Sequence, residues 1–178
     1  MAKVEFPLGD AYSLLEPGPV VLLTTSQAGK ANVMTLSWHT MLEFEPPTLG
    51  CVVSRRNFSF AALDATGECV INLPTAQIGD VVTGCGNCSG RDTDKFAAFG
   101  LTPVPASRVQ APLLAQCFAS LECRVVDRSL VPRYELFVLE VLAAWVDPAL
   151  PRDPTLHHRG YGVFMLAGDT IRLPSKMR

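Results

Sequence analysis

The sequence contains little charge, and neither sign is clustered. Charged side chains make up 18% of the 178 residues, and 15 basic against 17 acidic side chains leave a formal net charge of -2. Proteins that bind nucleic acids or anionic membranes need clustered Lys and Arg. We therefore expect neither nucleic acid nor a membrane surface as a partner.

Apolar runs of membrane length are also missing. Pro, Gly and charged residues interrupt every apolar stretch before it reaches the roughly 20 residues that a spanning helix needs. The stretch from Met1 to Pro7 lacks the basic start and apolar run of a secretory signal peptide. We expect a cytoplasmic protein without a membrane segment.

Familiar nucleotide and metal motifs are absent as well. The chain has neither a P-loop nor a Rossmann fingerprint, so it shows no distinct nucleotide-binding motif. Cys85 and Cys88 have the spacing of a redox pair or half a zinc site, but no second such pair or spaced His pair completes a metal site. We expect no metal, and we favour a structural loop with two free thiols over a redox pair. Most of the six cysteines are interpreted as buried apolar thiols.

The apolar content, 48%, is high for a chain with so little charge. We expect one domain over residues 1–178, with extra apolar surface buried between subunits. β-rich runs separated by turn signals predict a mainly β fold. The expected strands lie at 20–25 and 33–41 (a hairpin), 48–53 (completing a meander), 69–73, then 115–126 and 134–146 (a second hairpin). A small hairpin turning at Gly168 and Asp169 is expected in the tail.

Short helices are predicted between the strands. Asn57 and Gly67 have the residue types of helix caps, Thr75 can cap a helical piece that runs through Val82, and Gly100 can end a helix over 93–99. The glycine-rich stretch 84–90 is predicted to be a loop. The architecture inferred is an antiparallel β-barrel with peripheral helices.

The stretch Ser54-Arg55-Arg56-Asn57-Phe58-Ser59 places guanidinium, hydroxyl and amide groups where a strand leads into a helix. Free amides at a helix start favour an anion, and Arg forms bidentate bonds with phosphate. A capped surface helix with solvated arginines explains the pattern equally well.

The strand Asn32-Val33-Met34-Thr35-Leu36-Ser37-Trp38 alternates, which directs Thr35 and Ser37 to one face and Leu36 and Trp38 to the other. Such a strand could border a planar heteroaromatic ligand. On pattern alone, an ordinary strand with surface hydroxyls is the better interpretation.

Three further segments accompany these two along the chain: Glu45-Pro46-Pro47, Glu68-Cys69-Val70-Ile71-Asn72 and the run from Ser89 to Phe96. Taken in order, the five segments resemble the flavoredoxin-like flavin reductase family. The resemblance implies an antiparallel FMN-binding split barrel, usually a homodimer, with FMN as cofactor. It implies that the segment 35–38 borders the flavin ring, that 54–59 holds the phosphate, and that Lys95 lies near the flavin, where a cation stabilises negative charge on the ring. The expected cofactor-binding residues are Asn32, Met34, Thr35, Leu36, Ser37, Trp38, Ser54, Arg55, Arg56, Asn57, Ser59 and Lys95.

The resemblance further implies an NAD(P)H-dependent flavin reductase in which hydride passes to flavin N5, so no catalytic side chain is required. His158 is a candidate helper near the nicotinamide, although His157 and His158 fit a surface or dimer contact equally well. Reduced flavin would pass electrons to free flavin, a partner oxygenase or another acceptor. The alternatives are a flavoredoxin-type electron carrier without NAD(P)H oxidation and an interaction domain that has lost its flavin.

Overall fold

The computed structural model describes residues 18–150 and 154–174. The strands are β1 (Val21–Gln27), β2 (Lys30–Leu36), β3 (His39–Phe44), β4 (Pro47–Val52), β5 (Glu68–Leu73), β6 (Pro103–Val104), β7 (Leu113–Leu114), β8 (Ala119–Asp127), β9 (Leu136–Val146), β10 (Leu156–His158) and β11 (Phe164–Leu166). The helices are α1 (Phe58–Thr66), α2 (Gly79–Asn87), α3 (Lys95–Phe99) and α4 (Val131–Tyr134), and a 3-10 turn, Ala76–Ile78, precedes α2.

Seven strands form one antiparallel sheet in the order β2-β1-β5-β8-β9-β4-β3. Its two edges, β2 and β3, follow each other in the chain with only Ser37 and Trp38 between them. The amide of Val52 in β4 donates to the Trp38 carbonyl at 3.0 Å. The sheet therefore curls until its edges meet at this bend, which confirms the expected antiparallel split barrel with peripheral helices.

Within this barrel, the predicted opening meander is wrong. The run 33–41 divides between β2 and β3, and β4 pairs with β3 and β9 rather than with β2. The first hairpin is confirmed, because β1 pairs with β2 from Val21 opposite Leu36 to Gln27 opposite Lys30. The second is confirmed by the pairing of β8 with β9.

Helix α1 ends as expected, since Gly67 adopts the left-handed conformation with φ 68° and its amide donates to Leu63. Asn57 occupies the N-cap position, but its side chain makes no capping hydrogen bond, so that part of the prediction is wrong. In α3, Asp94 caps the amides of Phe96 and Ala97, and Gly100 is left-handed with φ 64°.

The glycine-rich stretch is not a loop throughout, because α2 continues to Asn87. Gly84 lies where a Cβ would overlap the ring of Phe99, and a Cβ on Gly86 would lie 3.5 Å from the Thr35 Cβ. These glycines let α2 approach α3 and β2 closely. Gly84 and Gly86 therefore serve close packing of the helix, not a turn.

The tail forms a hairpin, but the predicted turn at Gly168 and Asp169 is wrong. β10 pairs with β11 from Leu156 opposite Leu166 to His158 opposite Phe164. The turn lies at Gly160, Tyr161 and Gly162, which have φ values of 93°, 51° and 77°. Gly160 and Gly162, on either side of Tyr161, adopt positive φ at little energetic cost and so allow this turn.

Two apolar clusters form the core. One fills the barrel and includes Leu23, Met34, Leu36 and Phe137, and the other lies between the outer face of β1 and β2 and helix α2 and includes Leu22, Val33, Val82 and Cys85. All six cysteines are free thiols, and five of them are buried. No helix in the described part of the chain is long and apolar enough to cross a membrane.

One carboxylate is also buried. Glu122 of β8 is 0% exposed and accepts hydrogen bonds from the Trp145 indole at 2.7 Å, the Ser107 hydroxyl at 3.0 Å, and the backbone amides of Ser107 and Arg108. Burial by itself would raise the pKa of Glu122, but these hydrogen bonds outweigh it and hold the pKa below its ordinary value. Through these hydrogen bonds, Glu122 holds both the connection before β7, at Ser107 and Arg108, and the end of β9, at Trp145, against β8.

Candidate functional site

Strand β2 is the element around which the predicted site residues gather. In the sheet it pairs with β1 alone, so its other edge is open among the described strands. Alternation directs Asn32 toward α1 and Thr35 toward α2: the Asn32 amide donates to Ser59 Oγ at 2.8 Å, and the Thr35 hydroxyl donates to the Val82 carbonyl at 2.6 Å. Cavities lie on both sides of this strand.

The first, which we name the cation cavity, lies between β1, β2 and the start of α1 and has a volume of about 370 Å³. Its polar lining consists of Thr25, Gln27, Lys30, Asn32, Arg55, Asn57 and Arg91. Phe58 forms an apolar wall, with Lys30 Nζ 5.8 Å and Arg91 Cζ 6.0 Å from its ring centre. Neither cation forms an ion pair with a carboxylate of the described residues. The cavity therefore favours an anion.

Arg55 is held in place at the rim of this cavity. Its guanidinium lies 3.6 Å from Glu135 Oε1, which also accepts the Arg55 backbone amide at 2.9 Å, and 5.2 Å from the centre of the Phe60 ring. The hydrogen bond from Arg55 holds the pKa of Glu135 below its ordinary value. Arg91 reaches from its own loop to the Arg56 carbonyl at 3.2 Å, which joins the two loops across the cavity.

The floor of the cation cavity is polar and buried. Thr25, directly opposite Asn32 across β1 and β2, is 0% exposed. Among the described residues its Oγ1 is the one buried side-chain oxygen or nitrogen without a hydrogen-bond partner. Burying a hydroxyl unpaired costs about 1–3 kcal/mol, so native proteins rarely do it. An oxygen of a bound anion in the cavity would satisfy Thr25.

A second cavity, which we name the His158 cavity, lies on the opposite side of β2 and has a volume of about 270 Å³. Thr35, Ser37, Gly86 and Asn87 line one side of it, and His158 with Phe164 of the tail hairpin lines the other. The His158 ring packs 5.3 Å from the Phe164 ring, centre to centre. Apolar rings and hydroxyl groups together suit a flat ligand with polar edges.

A third cavity, the lysine cavity, opens along the free edge of β2 and has a volume of about 480 Å³. It shares Lys30, Asn32 and Arg91 with the cation cavity, and Lys95 lines its inner side. Lys95 is only 4% exposed, and its ammonium donates to the Cys85 carbonyl at 2.6 Å. Burial lowers the pKa of Lys95, against the opposing influence of the Cys88 and Cys85 thiols. Lys95 is thus a buried amine, not a solvated one.

The structure gathers most predicted site residues around these cavities. Asn32, Arg55 and Asn57 line the first, Thr35 and Ser37 the second, and Lys95 the third. Ser59 is buried against Asn32, and the Ser54 hydroxyl accepts the Arg56 amide at 3.3 Å, which shapes the turn. The candidate helper His158 faces Thr35 across the second cavity.

Three predicted positions need correction. The side chains of Met34 and Leu36 lie in the barrel core, so only their backbone can contact a ligand. Trp38 does not continue the face of Leu36, because the chain bends there and leaves its side chain 54% exposed. Arg91 contacts Ser89 and Arg56.

Sequence reasoning missed Thr25, Lys30 and Glu135. Lys30 follows a tight turn at Ala28 and Gly29, which are both at positive φ, so its place at the start of β2 was predictable from the hairpin. The register of the β1–β2 hairpin then predicts that Thr25 lies beside the site, because Thr25 is opposite Asn32. Glu135 is distant in sequence from Arg55, and no local pattern indicates their contact.

FMN can be tested against this geometry. Its phosphate carries about -1.5 to -2 charges at neutral pH. This matches a cavity in which Lys30 and Arg91 have no carboxylate partner, and Thr25 no hydrogen-bond partner, among residues 18–150 and 154–174. From Asn32 to Ser37 the chain advances about 16 Å at about 3.3 Å per residue, so the cation and His158 cavities can hold the two ends of one elongated ligand. The residues present fit the cofactor.

An antiparallel split barrel with an anion cavity and a hydroxyl-lined cleft along one strand places this protein in the class of FMN-binding split-barrel proteins. Its sequence matches the family model of the flavin reductase like domain over residues 14–163. The chain belongs to the flavin reductase like domain family.

Individual relatives agree with this assignment. An uncharacterized Escherichia coli K12 protein, YddH, is 30% identical over 94% of this chain and 96% of its own length. An FMN-binding domain of a flavin reductases-like enzyme from Shewanella baltica superposes with a TM-score of 0.82 and 28% identity over 96% of this chain and 97% of its own. A flavoredoxin from Methanosarcina acetivorans superposes with a TM-score of 0.83 and 25% identity over 99% and 97%.

Proposed function

We propose that this protein is an NAD(P)H-dependent flavin reductase that holds FMN along β2. The observation that carries the proposal is the cation cavity, in which Lys30, Arg55 and Arg91 lie around a buried hydroxyl that has no hydrogen-bond partner among the described residues, at one end of a hydroxyl-lined strand. FMN, when bound, supplies the redox chemistry by accepting hydride from NAD(P)H and passing electrons to an acceptor. The name of the Shewanella relative, a flavin reductases-like enzyme, supports the same assignment.

The chain's own residues bind and orient the cofactor. Arg55, Lys30 and Arg91 bind the phosphate, and Thr25 and Asn57 donate to its oxygens. A ligand that also reaches the His158 cavity must cross the open edge of β2, where backbone groups of the strand are free to hydrogen-bond with the polar edge of a flavin ring. Thr35 and Ser37 line that end and fix the plane of the ring.

Two residues act near the ring. Lys95, buried at the strand edge, stabilises negative charge that develops on the flavin, because a cation in a site of low dielectric acts strongly. His158, on the opposite side of the His158 cavity, orients the nicotinamide. Its contact with Phe164 restricts the orientation of the imidazole.

The test is anaerobic reduction of the FMN-loaded protein by NADH and by NADPH, followed as bleaching of the flavin absorbance. Rapid bleaching with either nucleotide supports the reductase. Flavin that stays oxidised with both, yet is reduced by dithionite, would leave a flavoredoxin-type electron carrier, the function that the name of the Methanosarcina relative suggests. Protein that takes up no FMN would refute both functions.

We also propose a homodimer. The edge strand β3 presents Met41, Leu42 and Phe44 to solvent, and Phe44 is 92% exposed. Trp38, at the adjacent bend, is exposed too. Open edges with apolar side chains need a cover in a soluble protein. Light scattering after size-exclusion chromatography should give twice the chain mass, and replacing Phe44 with Lys should give monomers.

A further inference from the structure

Cys85 and Cys88 flank the end of helix α2, beside the His158 and lysine cavities. Cys85 is inside the helix and buried in the core cluster under α2, whereas Cys88 is the C-cap residue and is half-buried. The Cys88 thiol turns back to the Gly84 carbonyl, 3.3 Å away. One thiol is therefore partly accessible and the other is enclosed in the core.

A buried amine accompanies the two thiols. Lys95 Nζ donates to the Cys85 carbonyl at 2.6 Å, and Lys95 interacts electrostatically with both sulfur atoms. Burial raises the pKa of Cys85 to about 11, and Lys95 is the influence that opposes this rise. Burial also lowers the pKa of Lys95, which favours the neutral amine that can accept a proton.

The local backbone can bring the two sulfur atoms together. Residues three apart in a helix have Cβ atoms about 5–6 Å apart, whereas a disulfide needs roughly 3.5–4.5 Å. Cys88 has already left the helix, with φ -128° and ψ 162°, and the last turn contains Gly84 and Gly86. Each glycine weakens a helix by about 1 kcal/mol relative to alanine, so this turn adjusts at small cost.

We propose that Cys85 and Cys88 form a redox-active dithiol that exchanges with small disulfides, with Cys88 as the attacking thiol, Cys85 as the resolving thiol and Lys95 as the base for Cys85. The Cys88 thiolate attacks one sulfur of a disulfide such as oxidised glutathione and releases one glutathione. Cys85 passes its proton to the Lys95 amine, attacks the Cys88 sulfur and releases the second glutathione. The protein gives up two electrons and two protons, and one small disulfide becomes two thiols.

The other cysteines do not offer this arrangement. Cys51, Cys69 and Cys123 are 0% exposed inside the barrel, where a small disulfide cannot reach them. Cys117 packs in the same cluster as Cys85 and is the one rival partner for it. This proposal does not depend on bound flavin, because its reaction uses only the chain's own thiols and amine.

The experiment equilibrates the full-length protein with mixtures of reduced and oxidised glutathione, blocks remaining thiols with an alkylating agent and identifies the products by mass spectrometry. Cys85 and Cys88 lie with Cys69 in one tryptic peptide, residues 57–91, while Cys117 lies with Cys123 in another, residues 109–124, so fragmentation of each peptide assigns the protected thiols. We expect one two-electron transition that protects Cys85 and Cys88 together. Cys117→Ala, the matched control, should retain it, and Cys88→Ser should abolish it.

Lys95→Met separates the base from a structural role. At pH 7 it should slow closure of the disulfide by about tenfold or more, and its rate should rise steeply with pH, as expected when a general base is removed. Lys95→Arg, which keeps the charge but cannot act as a base, should behave like Lys95→Met. Closure at the wild-type rate in both variants would overturn the role of Lys95. Absence of a Cys85 to Cys88 disulfide, or one between Cys85 and Cys117, would overturn the dithiol and leave the flavin assignment untouched.

Discussion

Replacing Thr25 with Val should have opposite effects on stability and on FMN binding. The two side chains have nearly the same shape, so the change removes little more than the hydroxyl that finds no partner among the described residues. A buried unpaired hydroxyl costs about 1–3 kcal/mol, so we expect the FMN-free variant to gain about 1 kcal/mol or more in free energy of unfolding. A hydrogen bond to a charged phosphate contributes about 1.5–3 kcal/mol, so FMN affinity should fall roughly 10- to 100-fold.

The neighbouring Thr24 provides a matched control. It is equally buried, but its hydroxyl donates to the Pro112 carbonyl at 2.6 Å. Thr24→Val should therefore lower the free energy of unfolding by about 1–3 kcal/mol and leave FMN affinity within about twofold. Urea unfolding of the FMN-free proteins gives the first quantity, and quenching of FMN fluorescence on titration gives the second. The reasoning fails if Thr25→Val destabilises the FMN-free protein, or if it binds FMN as tightly as the wild type.

Three further substitutions test other contacts. Arg55→Ala should weaken FMN binding about tenfold or more, through the loss of a charge-assisted bond, and unchanged retention during dialysis would refute its role. Gly90→Ala should weaken FMN binding and lower the melting temperature, because its Cβ would overlap the Asn32 side-chain oxygen. Glu122→Gln should cost about 3 kcal/mol or more, since an amide turns one N–H group toward the donors around it. The folded pKa of Glu122 lies below its ordinary value of 4.5, so its contribution to stability is fully present above pH 4.5 and is lost as the pH falls through the folded pKa. Urea unfolding from pH 7 down to about pH 2 measures this loss. Glu140→Gln, which removes a surface ion pair, is the control.

Local patterns sufficed for most of the strands and for the helix ends at Gly67 and Gly100, but not for the helical piece predicted from Thr75 through Val82, where Thr75 makes no capping bond and the helix continues to Asn87. β-branched runs, the turn at Gly29 and the left-handed positions of Gly67 and Gly100 depend on neighbours in the chain, so the sequence shows them directly. The bend at Ser37 and Trp38 does not depend on chain neighbours alone. It results from pairing with β4, whose own partner β9 lies far along the chain. Long-range pairing, rather than propensity, divides the run 33–41 into two strands.

The glycines show the same limit. Gly84 and Gly86 looked like loop residues, yet they serve contacts with Phe99 and Thr35 inside a helix. Composition indicates that the backbone needs space or freedom, but it does not say which. The sequence indicated only part of the candidate site. The stretch from Ser54 to Ser59 is contiguous and was recognised, whereas Thr25, Lys30 and Arg91 come close to it only in the folded protein.

The position of the bend between β2 and β3 also orders events during synthesis. Both edges of the sheet are made early, within the first 52 residues, but the strands that fill the space between them end with β9 at Val146. The wall that carries His158 follows later still. Contacts this distant in sequence form slowly, so a nascent chain cannot complete the cleft until the stretch through Phe164 has left the ribosome. Capture of FMN would then mark the last stage of folding, and a supply of the cofactor would act on the yield of finished protein as well as on its activity.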